Sequence, residues 1–159
     1  MLIDRNQGYG GGNNVGIAMA MNDGADAIWI LNNDARPDPH ALDEVVAMAA
    51  TRADVGMVGA TILLDDGSDR VQSVGGGRYR WILGRSRLIH HGAARGSVGG
   101  AALPEPDYVD GAALLLTRAM IQDVGAFEEG FHLYCEEIDL AERARRRGWT
   151  LAVARSAIV

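Results

Sequence analysis

Residues 27–38 read Ala27-Ile28-Trp29-Ile30-Leu31-Asn32-Asn33-Asp34-Ala35-Arg36-Pro37-Asp38, an unbroken apolar run that ends in two amides and a carboxylate. The run over 27–31 has strand length, and without polar alternation it reads as a strand covered on both faces. Such strands belong to layered α/β sheets, whose ligand sites lie beyond strand C-terminal ends. Asn32, Asn33 and Asp34 stand at that kind of end. A hard divalent cation takes oxygen ligands, and it commonly combines one or two carboxylates with waters and substrate phosphates. Asp34 supplies a carboxylate; Asn32 and Asn33 add hydrogen bonding without charge. The same three residues also make an ordinary turn before Arg36-Pro37, and taken alone they favour the turn.

On the N-terminal side, residues 1–5 read as the end of a strand. Gly8-Tyr9-Gly10-Gly11-Gly12 then reads as a turn, with Asn13 or Asn14 capping a helix through Val15, Ile17, Ala18 and Met21. Asn22-Asp23-Gly24 stops it. A dinucleotide fingerprint fails here, because Val15 or Asn13 stands where its last glycine belongs. What remains is a flexible turn feeding a helix N-terminus, either a plain connection or a place for anionic groups.

On the C-terminal side, Asp38-Pro39 reads as the cap and first residue of a helix through Leu42, Val45, Val46 and Ala49. Residues 55–64 form another apolar strand, closed by the turn Asp65-Asp66-Gly67-Ser68. Residues 75–106, rich in Gly, Arg and Ala with weak periodicity, read as long irregular structure with a short strand over 78–83. A strand over 108–116, a helix over 118–124, a helix over 136–147 and a strand over 150–159 complete the chain. There is no internal repeat.

Bulk properties narrow the classes. The 159 residues suffice for one domain with a real core, and the 48% hydrophobic content is ordinary. No apolar run reaches the roughly 18 residues of a membrane span. The first residues show no basic segment leading into an apolar one, so no signal peptide is expected. Cys135, the single cysteine, fits a reducing cytoplasm. A net charge of −6 argues against a broad nucleic-acid surface. All 15 basic residues are arginine. The lack of lysine excludes a Walker A loop, Schiff-base chemistry and a lysine base.

Within the helix over 136–147, Glu137 shares the stripe of Leu133, Leu140, Ala141 and Ala144. Asp139, Glu142, Arg143 and Arg146 fall opposite, where i,i+4 pairs make a solvated face. Glu137 is therefore a carboxylate on an apolar face in a first helical turn. Burial raises its pKa while the helix N-terminus lowers it, a combination that suits a general base. The competing role is a first-turn glutamate satisfying backbone N–H groups.

Taken in order, these segments resemble the family 2 glycosyltransferases, especially their bacterial rhamnosyltransferase-like branch. NQGYGGGNNVGI (6–17) is similar to the family block N-x-G-[FY]-[AG]-x-G-N-N-x-G-I. WILNNDARPDPHAL (29–42) is similar to its L-N-[NP]-D-[TA]-x-[PV] strand end. YVDGAALLLTRAMIQDVGAFEEGFHLYCEEIDLAERARRRGW (108–149) is similar to its acceptor-side block, including F-x-Y-x-E-D-x-D-L-x-x-R and the closing G-W-x-L. The likeness covers nearly everything outside residues 75–106. Each motif is weak alone, and their order makes them specific.

The resemblance implies a GT-A-like layered sheet with flanking helices, lacking the family's first two strand–helix units. It divides the chain into a donor- and metal-side part (1–64), a loop (75–106) and an acceptor-side part with the catalytic helix (108–159). Asp34 is then the holder of Mg²⁺ or Mn²⁺ at the nucleotide diphosphate, and Glu137 the base that deprotonates the acceptor hydroxyl. Asn6, Gly8, Asn14, Asn32 and Asn33 lie on the donor side; Asp110, Gly111 and Glu136 lie on the acceptor side. The implied reaction is inverting transfer of a sugar, rhamnose or another deoxyhexose, from a nucleotide-diphosphate donor to a cell-envelope glycan or lipid-linked acceptor. The implied place is the cytoplasm, peripherally at the inner face of the plasma membrane, with no nucleic-acid partner. Asn32 replaces the first aspartate of a strict D-x-D, and Glu137 replaces an aspartate with a side chain one methylene longer. The rival reading is a non-catalytic remnant or interaction module without nucleotide affinity. A nucleotidyltransferase would need a basic triphosphate loop, which is not found. Without the first units, the strands over 27–31 and 55–64 are expected to lack a neighbour, leaving an edge for self-association and no transfer by this chain.

Overall fold

The computed structural model of the protein describes residues 6–100, 103–131 and 134–159. The strand end expected over residues 1–5, and Leu133 of the helix stripe, lie outside them. In chain order the elements are α1 (Gly8–Asn22), β1 (Ala27–Leu31), α2 (Ala41–Ala49), β2 (Val55–Leu63), β3 (Val71–Val74) and β4 (Gly76–Arg80). A 3-10 turn (Trp81–Leu83), β5 (Arg85–Leu88), α3 (Arg95–Val98), β6 (Tyr108–Val109) and β7 (Ala113–Thr117) follow. The chain ends with α4 (Arg118–Val124), α5 (Glu136–Arg146) and β8 (Thr150–Ile158). Among the described residues no helix is long and apolar enough to cross a membrane.

The result is a mixed α/β architecture with a five-stranded main sheet. β7 lies antiparallel between β1 and β2, while β8 runs parallel to β2 along its other edge. β3 continues β7's side of β2 beyond the end of β7. Because β1 and β2 both oppose β7, the C-terminal ends of β1, β2 and β8 open on one side of the sheet.

Alternating side chains of the central strands bury against two layers. Leu114 and Leu116 of β7 share a core with Ile17 of α1, Met120 of α4, and Leu140, Ala141 and Ala144 of α5. Ala113 and Leu115 pack on the other face with Ala41 and Val45 of α2. Each leucine fully buried this way contributes about 2 kcal/mol. β1 is less covered than its apolar run implies. Only Ile30 is buried outright, because β1 is paired on one edge alone among the described residues. β2, by contrast, is paired on both edges, which overturns the expectation that it lacks a neighbour.

Three further expectations are corrected. Helix α1 begins at Gly8, not at Asn13 or Asn14. Gly8 takes φ +74°, and Asn6 Oδ1 accepts its N–H at 2.9 Å. The glycines lie inside the helix, and at Gly10 it runs close to a neighbour: a Cβ there would stand 3.2 Å from Phe127 Cβ. Helix α2 begins at Ala41 with His40 in the cap position; Asp38 is tied instead to β8, its N–H donating to Ile158 O at 2.9 Å. Residues 75–106 are not irregular throughout: β4 and β5 form a hairpin that pairs with β6 in a second, antiparallel sheet.

The passage between the sheets turns on glycine. Gly75 (φ +76°) donates its N–H to Ala60 O, and a Cβ built on Gly59 would meet Gly75 O at 2.1 Å. Gly76 (φ +146°) lies against the Tyr108 carbonyl. The expected strand over 108–116 is likewise two strands. β6 belongs to the second sheet and β7 to the main one, with Asp110-Gly111-Ala112 as the break.

Candidate functional site

The open end of β1, β2 and β8 forms a cleft of about 370 Å³ whose walls include Asn32, Asp34, Arg36, Asp38, Gln72 and Arg95. Asn32, Asn33 and Asp34 are exposed in the turn that follows β1. Two aspartates of the cleft already face arginines, Asp65 toward Arg36 and Asp38 toward Arg95, each at 3.8 Å. Among the described residues the Asp34 carboxylate has no such partner.

The break between β6 and β7 joins this cleft to the rest of the candidate site. Asn32 donates its backbone N–H to Ala112 O at 3.1 Å. Ala112 N–H in turn donates to Asp110 Oδ1 at 3.1 Å. Asp110 Oδ2 accepts from Ser73 Oγ at 2.7 Å and from Gln72 Nε2 at 3.5 Å. Tyr9 Oη donates to Gly111 O at 2.6 Å, and its ring meets Phe127 edge-on at 5.6 Å. Gly111 is needed here, since a Cβ would lie 2.9 Å from the Tyr9 hydroxyl oxygen. The ends of α1, β1 and β3 thus meet on three consecutive residues.

The first turn of α5 adds two carboxylates. Tyr134 and Cys135 enter it at φ +71° and +75°, the left-handed region that non-glycine residues seldom occupy. Glu136 is 1% exposed, with its Oε1 unpartnered. Glu137 is half-buried. The apolar-face assignment therefore fits Glu136 better than Glu137, because the α5 stripe tilts toward Gly10 of α1: a Cβ there would lie 3.6 Å from Glu136 Cγ. Burial pushes the Glu137 carboxyl above the usual range; Glu136 and Asp110 push it further, against a lowering bond to its own backbone N–H. The helix N-terminus does not prevail. Tyr9 is raised by burial and then by the charges of Glu137, Asp110 and Glu136. Cys135 is raised by burial, then by Glu137 and Glu136. These mutual effects place Tyr9, Asp110, Glu136 and Glu137 in one electrostatic neighbourhood, and no cation is among the groups that set the Glu137 or Tyr9 values.

Other expected site residues are placed differently. Asn14 is occupied by the backbone of Phe127, whose N–H it accepts at 3.0 Å and whose carbonyl it contacts at 2.9 Å; it also donates to Glu129. It clamps α1 to the connection before α5. Arg143, expected on a solvated face, is part-buried and fastens α5 through Asp139, Val124 O and Ala126 O. Sequence reasoning missed Tyr9, Gln72, Ser73, Arg36 and Arg95. The unbroken arginine usage was a signal for the last two; the others are visible only once β3 and β6 are seen to converge.

No protein-family model matches the chain, and a search of curated proteins finds no match. Among the described residues no group of three or more His, Cys, Asp or Glu side chains converges to hold a metal. A lone carboxylate such as Asp34 could ligate a hard divalent cation only together with ligands from outside the chain. Asp34 offers unclaimed oxygens at the cleft wall, and the remaining ligands would come from a diphosphate and water.

Proposed function

We propose that this chain is the metal- and acceptor-side part of an inverting glycosyltransferase with a GT-A-like fold. Its donor would be a nucleotide-diphosphate sugar of the deoxyhexose class, and its acceptor a cell-envelope glycan or lipid-linked glycan. The observation that carries this reading is the hydrogen-bonded path from Asn32 through Ala112 to Asp110, which ties the two motif ends that sugar transfer requires into one site. Arg36 and Arg95 border the cleft and offer charge for a diphosphate. Asp34 would hold Mg²⁺ or Mn²⁺, which when bound supplies electrostatic stabilisation of the departing diphosphate. Glu137, with its raised affinity for a proton, accepts the proton of the acceptor hydroxyl as that oxygen attacks the anomeric carbon in line. Asp110, fixed by Ser73 and Ala112, orients acceptor hydroxyls.

The second reading is a non-catalytic module, favoured by the lack of a convergent metal-ligand group among the described residues. Titration calorimetry with uridine and thymidine diphosphates, with and without Mn²⁺, separates the two. The transferase reading expects Mn²⁺-dependent binding that Asp34→Ala weakens at least tenfold. Binding that is indifferent to Mn²⁺ and to Asp34 would favour the module instead.

A further inference from the structure

The hairpin of β4 and β5 is used by neither half of that site. Its sequence, Arg78-Tyr79-Arg80-Trp81-Ile82-Leu83-Gly84-Arg85-Ser86-Arg87, puts an apolar tip between flanking arginines. The tip is a 3-10 turn closed by Gly84 at φ +58°, and it leaves Trp81 61%, Ile82 99% and Leu83 57% exposed. The indole is braced edge-on against Tyr79 at 4.8 Å. Exposing three large apolar side chains together at a hairpin tip is costly in water and marks a contact surface.

The register sharpens this. Arg80 stands opposite Arg85, and Arg78 opposite Arg87. Like charges directly opposite in an antiparallel pair repel. Arg78 is neutralised by Asp107 at 3.0 Å, whereas Arg80, Arg85 and Arg87 have no ion-pair partner among the described residues. Residues 70–104 hold six of the chain's arginines and none of its 21 acidic residues, although the whole chain is net −6. The hairpin is thus an apolar point with unneutralised cations set one to four residues behind it.

We propose that this hairpin docks on a bilayer containing anionic phospholipid. Trp81, Ile82 and Leu83 enter the interface, and Arg80, Arg85 and Arg87 reach the phosphates. The order of groups matches the depth profile of a membrane surface, hydrocarbon at the point and charge behind it. A nucleic acid would use stacked aromatics rather than aliphatic Ile82 and Leu83 at the tip. A protein groove would leave three like charges to be matched individually. The inference does not depend on sugar transfer.

Vesicle flotation of the full chain tests it, since aggregates sink while bound protein rises. With phosphatidylcholine vesicles carrying about 30 mol % phosphatidylglycerol the chain floats, and with phosphatidylcholine alone it does not. The triple variant R80Q/R85Q/R87Q lowers binding on the order of a hundredfold. Ile82→Asp, at a fully exposed position that leaves the circular dichroism unchanged, lowers it at least tenfold. No flotation, equal flotation with neutral vesicles, or full binding by Ile82→Asp would each overturn the proposal.

Discussion

At the scale of single residues, Glu137 separates a base from a helix cap by the sign of its effect on stability. Its folded carboxyl lies above the ordinary value, chiefly through burial. A raised carboxyl contributes stability that is fully present below the unfolded value and lost as pH rises through the folded one. At neutral pH the ionised side chain is therefore a cost, and Glu137→Gln should raise the melting temperature by on the order of 2 °C. The gain should vanish in acid, below the ordinary carboxylate range. A lowered melting temperature at pH 7 would mean that the charge serves mainly as a cap. Two glycines give a contrasting pair. Gly75→Ala places Cβ 2.4 Å from Val153 Cγ2 at a backbone φ of +76°, combining strain with overpacking. It should cost about 3 kcal/mol, with a fall in melting temperature near 10 °C. Gly12→Ala, inside α1 with nothing within 4 Å of its Cβ, should instead stabilise by roughly 0.5–1 kcal/mol. Urea titration of both variants measures the two signs.

At the scale of elements, what could be read from the sequence followed the strength of its local signals. β1, β2, α4, α5 and β8 were legible because apolar runs or a helical stripe bounded by Gly or polar residues marked them. α1 was legible except for its start. Gly10, Gly11 and Gly12 have poor helix propensity, and the tertiary approach to Phe127 makes glycine an asset at Gly10 alone. β4 was legible only in part, through the short strand expected over 78–83, and β5 was not legible. Their faces carry Arg78, Arg80, Arg85 and Arg87 in place of alternating apolar residues, and their inner end is Gly76-Gly77, which has no side chain to show burial. The break at Asp110-Gly111 is marked by a charge and a glycine, but the apolar residues on either side read as one strand, since hydropathy does not tell which sheet a strand joins. The candidate site shows the same division. Asp34, Asp110 and Glu137 were named from motifs, whereas the roles of Tyr9 and Ser73 follow from contacts across 102 and 37 positions of the chain. Asn14 was named as a donor contact and lies in a structural clamp, because an amide that pairs with backbone looks like any other asparagine in a motif.

At the scale of the whole molecule, two surfaces can bring chains together, and salt distinguishes them. The second sheet carries unneutralised arginines while the rest of the chain is strongly acidic, so the molecule is electrically two-sided. The other surface is β1, which has no charged residue or proline and is paired only with β7 among the described residues. An open apolar edge is a template for strand pairing, and the usual guards of charge or proline are absent within it. Backbone pairing and apolar contact are insensitive to ionic strength, whereas attraction between arginines and carboxylates is screened as the Debye length shrinks toward 3–4 Å in about 1 M salt. The chain should therefore self-associate with increasing concentration, and light scattering should report the same mass in dilute buffer and in about 1 M sodium chloride. Dissociation by salt would assign the contact to the arginine hairpin, and a monomer at every concentration would show that the β1 edge is not available for pairing.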